Sequence, residues 1–195
     1  MSARSQSARV VDALYAVPVS TDRVRARPAE DGIPAEPGFY AWWIVPGSIP
    51  GVPHHPHPRD DCAFDLLYVG IAPRDATSKQ RLRSRVVGNH LGGNTGSSTF
   101  RFSLASLLLD VERFAPTMTT TKYTLTSDDN RRLSAWQRAH LFLTWCEQPQ
   151  PWRIEGDVIA AMQPPLNLAE NREHPFYDTL HDARGRFRQT ARSGA

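Results

Sequence analysis

Two tyrosines in similar settings are the first candidates for chemistry. The sequence Gly-Phe-Tyr ends at Tyr40, and the sequence Tyr-Val-Gly begins at Tyr68. Tyrosine is common in strands, but glycine in a strand often marks the close approach of a backbone or a ligand. If the two segments pair as antiparallel strands, both phenols can emerge on one face of the sheet.

A carboxylate and an amide stand at the two ends of a later segment. Glu155 begins a stretch with apolar residues at helical spacing, and the stretch stops at Pro164-Pro165 before Asn167. A surface glutamate at a helix N-terminus and a proline stop explain this pattern without any chemistry. Asn167 can fix nearby backbone or orient a tyrosine through its amide, or it can simply satisfy the turn after the prolines.

The elements that must position these residues follow from hydrophobic periodicity. Aromatic and β-branched runs at 37–47 and 65–71 predict two strands that can form an antiparallel ribbon. Further elements are a third strand over 122–126 and helices over 7–16, 78 to 88 or 91, 99–114, 127–147 and from 155 onwards. This order predicts a small α+β domain, with a central antiparallel sheet of about three strands flanked by helices.

The composition is that of an ordinary globular chain. The 195 residues suffice for one domain with extensions, and 40% hydrophobic against 22% charged residues is a typical balance. No run of about 20 apolar residues predicts a membrane span, and the N-terminus lacks the apolar core of a secretory signal. Cys62 and Cys146 show no zinc-type spacing, which favours a reducing compartment. We therefore expect a cytoplasmic protein without a membrane partner.

Positive charge is carried almost entirely by arginine. The net charge is +3 and the pI about 9.1. Arginine binds phosphates as a planar fork, which favours a nucleic-acid surface, although a high-GC genome enriches arginine for coding reasons alone. The candidates for nucleic-acid contact are Lys79, Arg81, Arg83, Asn94 and Arg101. A cluster of charges on one helix is as often a solvated face.

The motifs follow one another in a defined order. They are GFY at 38–40, YVG at 68–70, Arg85 with Leu82 before it, and then Glu155, Val158, Ile159, Pro164, Leu166 and Asn167. Together, over residues 36–170, they resemble the GIY-YIG nuclease superfamily. The resemblance implies a single divalent metal ion, Mg²⁺ or Mn²⁺, on Glu155, with Tyr40, Tyr68 and Arg85 on the side of the nucleophile. It also implies products with 5′-phosphate and 3′-hydroxyl ends.

The sequence departs from the family pattern around the helix arginine. The stretch from Tyr68 to Arg85 is longer than usual, so Arg81 competes with Arg85 for the catalytic position. Many members carry a histidine four residues after the arginine, whereas here His90 follows at plus five. On an ideal α-helix that places His90 about 140° from Arg85. Either Gly88 breaks the helix and lets His90 swing back into the catalytic set, or His90 has no catalytic role.

These observations predict three segments. An N-terminal helix and lead-in would span 1–35, a GIY-YIG-like nuclease domain 36–170, and a polar, arginine-rich extension 171–195. The predicted function is a metal-dependent endonuclease acting on DNA, with RNA as a further possible substrate. The alternatives are a non-catalytic nucleic-acid-binding module that retains the fold, and a partner-binding subunit. The sequence predicts neither the oligomeric state nor the substrate structure.

Overall fold

The computed structural model describes residues 2–27 and 31–193. Residue 1, residues 28–30 of the predicted lead-in and residues 194 and 195 of the predicted extension lie outside the described part. None of the helices within the described ranges combines the length and the apolar character that crossing a bilayer requires.

Six strands are present in the described part of the chain. They are β1 (Val19–Ser20), β2 (Gly38–Ile44), β3 (Asp65–Ala72), β4 (Pro116–Met118), β5 (Tyr123–Leu125) and β6 (Leu141–Glu147). Four of them form an antiparallel sheet in the order β1-β6-β2-β3. Both predicted early strands are therefore confirmed, and they are neighbours at one side of this sheet.

The register of β2 and β3 places the two tyrosines on the same face. Tyr40 lies opposite Gly70, and Trp42 lies opposite Tyr68. The register shifts after Trp42, where Leu67 has no partner of its own, which is a β-bulge next to Tyr68. A bulge bends the strand locally and re-aims the neighbouring side chains.

The predicted helix over 127–147 is wrong in its second half. It ends at His140 as α4 (Ser127–His140), and β6 begins at the next residue. Residues 141–147 pair with β2 on one side and β1 on the other, so they form an interior strand of the sheet. No glycine or proline separates the two elements, and a short apolar run does not distinguish a buried strand from a buried helix.

The predicted strand over 122–126 is confirmed as β5, but it lies outside the central sheet. It pairs with β4 in a separate two-stranded ribbon. The central sheet thus gains β6 and the two-residue β1, which the sequence did not predict as strands, and it lacks the segment that was expected as its third strand.

Helices cover both faces of the sheet. Besides α4 they are α1 (Ala3–Leu14), α2 (Thr21–Arg25), a π-helix (Ser84–Leu91), α3 (Thr99–Leu107), α5 (Glu155–Met162) and α6 (Tyr177–Ser193). Helices α1 and α5 pack on the face that carries Phe39 and Trp43. The π-helix, α3, α4 and α6 cover the face that carries Tyr40 and Trp42.

The predicted polar extension contains the long helix α6. Its buried residues Leu180, Ala183, Phe187 and Ala191 form one apolar stripe, as expected for a helix packed on a core. Phe187 meets Phe102 of α3 edge to face, with ring centroids 4.9 Å apart. The extension is therefore part of the folded structure next to α3.

Candidate active site

Four side chains from four separate elements line one pocket. Tyr40 comes from β2, Tyr68 from β3, Arg85 from the π-helix and Glu155 from the start of α5. The pocket has a volume of about 500 Å³. Tyr40 and Glu155, which are 115 positions apart in the sequence, thus line the same polar cavity, as the sequence motifs predicted.

Glycine is required beside both tyrosines for steric reasons. The phenol of Tyr40 lies directly over Gly70 on the neighbouring strand, where any Cβ atom would overlap it. At Gly38, a Cβ atom would overlap the carbonyl of Cys146 on β6. The two ring centroids of Tyr40 and Tyr68 are 6.3 Å apart. Gly38 therefore lets β2 and β6 approach closely, and Gly70 lets the phenol of Tyr40 lie against β3.

His90 holds the buried phenol in place. Its Nε2 atom shares a hydrogen bond of 2.7 Å with the hydroxyl of Tyr40, and its Nδ1 atom shares one of 2.7 Å with Ser98 Oγ. The ring is completely buried. Burial, followed by the positive charges of Arg85 and Arg101, lowers the pKa of His90 well below its usual value. His90 is therefore neutral at neutral pH.

The π-helix explains why a spacing of five residues works here. In a π-helix the backbone hydrogen bonds join residues five apart, so residue i+5 lies roughly one turn above residue i. Arg85 and His90 have this spacing within Ser84–Leu91, and both interact with Tyr40. The predicted break at Gly88 is therefore wrong, since the helix continues to Leu91 and is wound more widely. This winding brings His90 to Tyr40, and its part in catalysis stays a prediction.

Arg85, and not Arg81, faces the pocket. The Nε atom of Arg85 is buried without a hydrogen-bond partner among the described residues. Arg81 donates through Nη1 to the carbonyl of Gln80, 3.0 Å away, and does not line the pocket. A buried donor without an acceptor costs free energy unless a bound group supplies one. Arg85 is therefore placed to receive an anionic ligand.

Burial sets the protonation of the phenols. It raises the pKa of Tyr40 well above its usual value, and the interaction with Tyr68 adds to this effect. Burial also raises the pKa of Tyr68. The positive charge of Arg85 opposes both shifts without cancelling them. Both phenols are consequently neutral near pH 7 in the absence of a further cation.

Glu155 lies at the first position of α5 and is only partly exposed. Burial raises the pKa of its carboxyl group, the nearby Glu170 raises it further, and Arg85 opposes the shift. In the described ranges, no cluster of three His, Cys, Asp or Glu side chains could ligate a metal. Mg²⁺ retains most of its water and needs only one or two carboxylates. Glu155 therefore fits such an ion, which would also relieve the repulsion from Glu170.

Asn167 forms hydrogen bonds to the edge of β3 that does not pair with another described strand. Its Oδ1 atom accepts from the backbone N–H of Val69 at 3.0 Å, and its Nδ2 atom donates to the carbonyl of Val69 at 2.8 Å. The neighbouring Leu166 N–H donates to the carbonyl of Leu67 at 3.0 Å. The turn after the two prolines thus returns the chain to β3, and the amide fixes the backbone beside Tyr68.

Two of the residues predicted to contact nucleic acid have other partners. Arg101 is completely buried, and its Nη1 atom donates a hydrogen bond to Gln137 Oε1 at 2.6 Å. The guanidinium of Arg83 donates to the carbonyls of Arg25 and Ala26. The prediction for Arg101 is therefore wrong, because its buried side chain stabilises the interior. Arg83 is partly exposed and holds the lead-in, and its contact with nucleic acid stays a prediction.

The other three predicted contact residues remain accessible. Lys79 and Asn94 are exposed, and Arg81 is partly exposed. Their contact with nucleic acid stays a prediction.

The pocket also contains residues that sequence analysis missed. They are Ile71, Arg74, Thr77, Ser78, Gln80 and Thr99. Most belong to the loop between β3 and the π-helix, where the backbone N–H groups of Thr77 and Ser78 donate to Asp75 Oδ1 at 2.9 Å. The run of polar residues directly after the second tyrosine motif was the signal that could have identified them.

Comparison with known proteins agrees with this arrangement. The model of the family described as the GIY-YIG catalytic domain matches residues 38–186. No curated protein and no solved structure matches the chain significantly. The matched segment begins at the first tyrosine motif, includes every residue that lines the pocket and supports a nuclease-type function. The chain therefore belongs to the GIY-YIG catalytic domain family.

Proposed function

We propose that this protein is a metal-dependent endonuclease that hydrolyses phosphodiester bonds in DNA. The observation that carries the proposal is the convergence of Tyr40, Tyr68, Arg85 and Glu155 on one polar pocket. Phosphodiester hydrolysis requires a positioned water and stabilisation of charge on the phosphoryl oxygens. The four side chains supply groups for both requirements.

Arg85 binds the scissile phosphate in this proposal. Its guanidinium forms charge-assisted hydrogen bonds to the non-bridging oxygens, which are stronger than neutral hydrogen bonds. The unpartnered Nε atom then gains an acceptor. Because the negative charge on the phosphoryl group grows during the reaction, this interaction stabilises the transition state more than the ground state.

Glu155 is the residue that would hold the divalent cation, Mg²⁺ or Mn²⁺. When bound, the ion supplies Lewis-acid stabilisation of the phosphate and of the departing 3′ oxygen. The carboxylate must be ionised to bind a cation, and both burial and Glu170 oppose ionisation in its absence. Cation binding and deprotonation of Glu155 are therefore coupled.

The two phenols position the attacking water. Tyr68 is the less buried of the two, so its hydroxyl is the one that contacts the water, while His90 fixes Tyr40 beside it. The water oxygen forms a bond to phosphorus as the bond from phosphorus to the 3′ oxygen breaks. The water loses one proton and the 3′ oxygen gains one, which leaves 5′-phosphate and 3′-hydroxyl ends.

We infer the cytoplasm as the site of action. Cys62 and Cys146 are both free thiols, and free cysteines are typical of reducing compartments.

The direct experiment compares the wild type with Glu155→Gln on supercoiled plasmid DNA in the presence of Mg²⁺. We expect the wild type to nick or linearise the plasmid and the variant to lose at least about 10²-fold in rate. Chelation by EDTA should abolish cleavage by the wild type. Glu173→Gln is the matched control, because Glu173 is exposed and does not line the pocket.

The substrate panel should contain duplex, flap, junction and single-stranded DNA, and RNA of the same sequences. Cleavage by Glu155→Gln at the wild-type rate would overturn the assigned role of the carboxylate. Binding of nucleic acid without cleavage of any substrate, with Mg²⁺ or Mn²⁺, would favour the non-catalytic binding module instead. Preferential cleavage of RNA would correct the proposed substrate class.

A further inference from the structure

A second depression lies beside the active-site pocket. We call it the arginine groove, and it is lined by residues 95–99, Phe102, Lys122, Tyr123, Arg184 and Arg188. Its volume is about 290 Å³. Helix α6 forms one wall, and the β4–β5 ribbon contributes Lys122 and Tyr123 to the lining.

The arginine groove adjoins the active-site pocket at Thr99. Thr99 lines both the groove and the active-site pocket. The guanidinium of Arg184 also interacts electrostatically with the phenol of Tyr68. The groove is therefore the neighbouring depression on the side of the pocket that Thr99 lines.

Aromatic rings hold the arginines of α6 in a row. The guanidinium carbons of Arg184 and Arg188 lie 5.0 and 5.3 Å from the ring centroid of Phe102. Arg192 lies 5.3 Å from the ring centroid of Tyr123 and donates through Nε to its hydroxyl at 2.8 Å. Residues four apart share one helix face, so the three cations form a stripe along α6.

The positive charge of the groove is not neutralised locally. None of the described residues that line it is acidic. The Nε atom of Arg184 is buried without a hydrogen-bond partner among the described residues. Burial and the neighbouring Arg188 both lower the pKa of Arg184. An anion in the groove would relieve the repulsion between these two cations.

The N-terminus of α3 also contributes to the lining of the groove. Ser98 is its N-cap, and Ser97, Ser98 and Thr99 all line the groove. The first N–H groups of a helix and its dipole favour negative charge. The groove therefore combines guanidinium groups, an ammonium group, hydroxyls and a helix N-terminus, which together match a phosphate chain.

We infer that the arginine groove binds the sugar-phosphate backbone of the nucleic-acid strand that extends from the scissile phosphate. This inference rests on the proposed nuclease function and names where its substrate lies. Phosphate contacts fix the register and orientation of a nucleic acid without reading its bases. Arg184, Arg188 and Lys122 would thus set which phosphate reaches Arg85.

The test measures binding of labelled duplex and single-stranded oligonucleotides by fluorescence anisotropy in EDTA, where no cleavage occurs. Each lost phosphate contact should reduce the slope of log K against log salt by about 0.9 for duplex DNA. At about 150 mM salt this corresponds to roughly fivefold weaker binding. For Arg188→Ala we expect both this decrease in slope and this loss of affinity. For the double variant Arg188→Ala with Lys122→Ala we expect about twice the decrease in slope.

Arg138→Ala is the matched control, since Arg138 is an exposed arginine on α4 outside the groove. Lys122→Ala alone, on the β ribbon, keeps the test valid if Arg188→Ala disturbs α6. The inference would be overturned if the groove variants had the same affinities and the same salt slopes as Arg138→Ala.

The failure of this inference is distinguishable from failure of the proposed function. If the wild type cuts DNA and binds it, but the groove variants bind as the wild type does, only the groove assignment is wrong. If the wild type neither cuts nor binds any nucleic acid, the proposed function is wrong and the groove assignment falls with it.

Discussion

Two neighbouring regions of the molecule each contain an arginine in a different setting: Arg101 is completely buried, and Arg85 is partly exposed to a pocket. Around Arg101, five polar atoms accept from the guanidinium: the carbonyl oxygens of His90 and Asn130, Asn130 Oδ1, Ser134 Oγ and Gln137 Oε1. The Nε atoms of both arginines are buried without a hydrogen-bond partner among the described residues. The difference is that Arg101 is enclosed by protein acceptors, whereas Arg85 lines an open pocket that can admit a ligand.

The difference shows how one residue type serves stability or function. The pKa of Arg101 is lowered by burial to about 10, so the group stays charged near neutral pH. The Nη atoms of Arg101 donate to polar groups of the protein, while Arg85 faces the pocket in which we propose that a phosphate binds. The two regions are connected through His90, whose carbonyl accepts from Arg101 and whose ring holds Tyr40.

The largest expected effect comes from Arg85→Ala. Loss of one preorganised donor to a developing negative charge costs about 10² to 10³-fold in rate, so the cleavage rate should fall by that factor in single-turnover assays. The free energy of unfolding should fall by less than for Arg101→Ala, because Arg85 interacts with the two phenols of the pocket and with Glu155, while its Nε atom has no partner among the described residues. Arg81→Ala is the control and should retain wild-type chemistry. Equal loss in both variants would contradict the assignment of Arg85.

Arg101→Ala should show the converse behaviour. It leaves several buried acceptors without a donor, at about 1 to 3 kcal/mol each, so the free energy of unfolding should fall by roughly 3 kcal/mol in urea denaturation. Arg138→Ala, at an exposed site on α4, should stay within about 0.5 kcal/mol of the wild type. A change of similar size in both variants would remove the contrast between the two regions.

Asn167→Ala tests the support of β3 from outside the pocket. Two buried hydrogen bonds to Val69 are lost, and the expected destabilisation is about 2 kcal/mol. Asn171→Ala loses one buried hydrogen bond, to the carbonyl of Pro164, and should cost about half as much. If Asn167→Ala is no less stable than the wild type, the amide does not fix the strand edge.

The smallest effect concerns the histidine that joins the two regions. The pKa of His90 is lower in the folded state than its value of about 6.5 in the unfolded chain. Below about pH 6.5 the unfolded chain therefore binds a proton that the folded protein does not bind. Stability should therefore rise with pH up to about 6.5, with a slope from this residue of at most about 1.4 kcal/mol per pH unit. His90→Gln should reduce that slope relative to the wild type. An unchanged slope would contradict burial of a neutral ring.

Local sequence patterns predicted the first half of the fold better than the second. The runs around Tyr40 and Tyr68 are rich in aromatic and β-branched residues and are bounded by turn signals, and both are strands. The run 141–147 follows α4 without a breaker and was predicted as helix. Only pairing with β1 and β2 decides that it is a strand, because tertiary context overrides weak local preference.

The sequence by itself predicted Tyr40, Tyr68 and Glu155 as members of one pocket, since the order of the motifs along the chain does not depend on how the helices are wound. The tertiary structure alone decided that Arg85 rather than Arg81 lines the pocket, that His90 contacts Tyr40 and that Arg101 is buried. Each of these depends on helix phase and on which partner accepts a buried donor. Helix phase and the choice of hydrogen-bond partner depend on packing between elements that are distant in sequence, so no local sequence pattern predicts them.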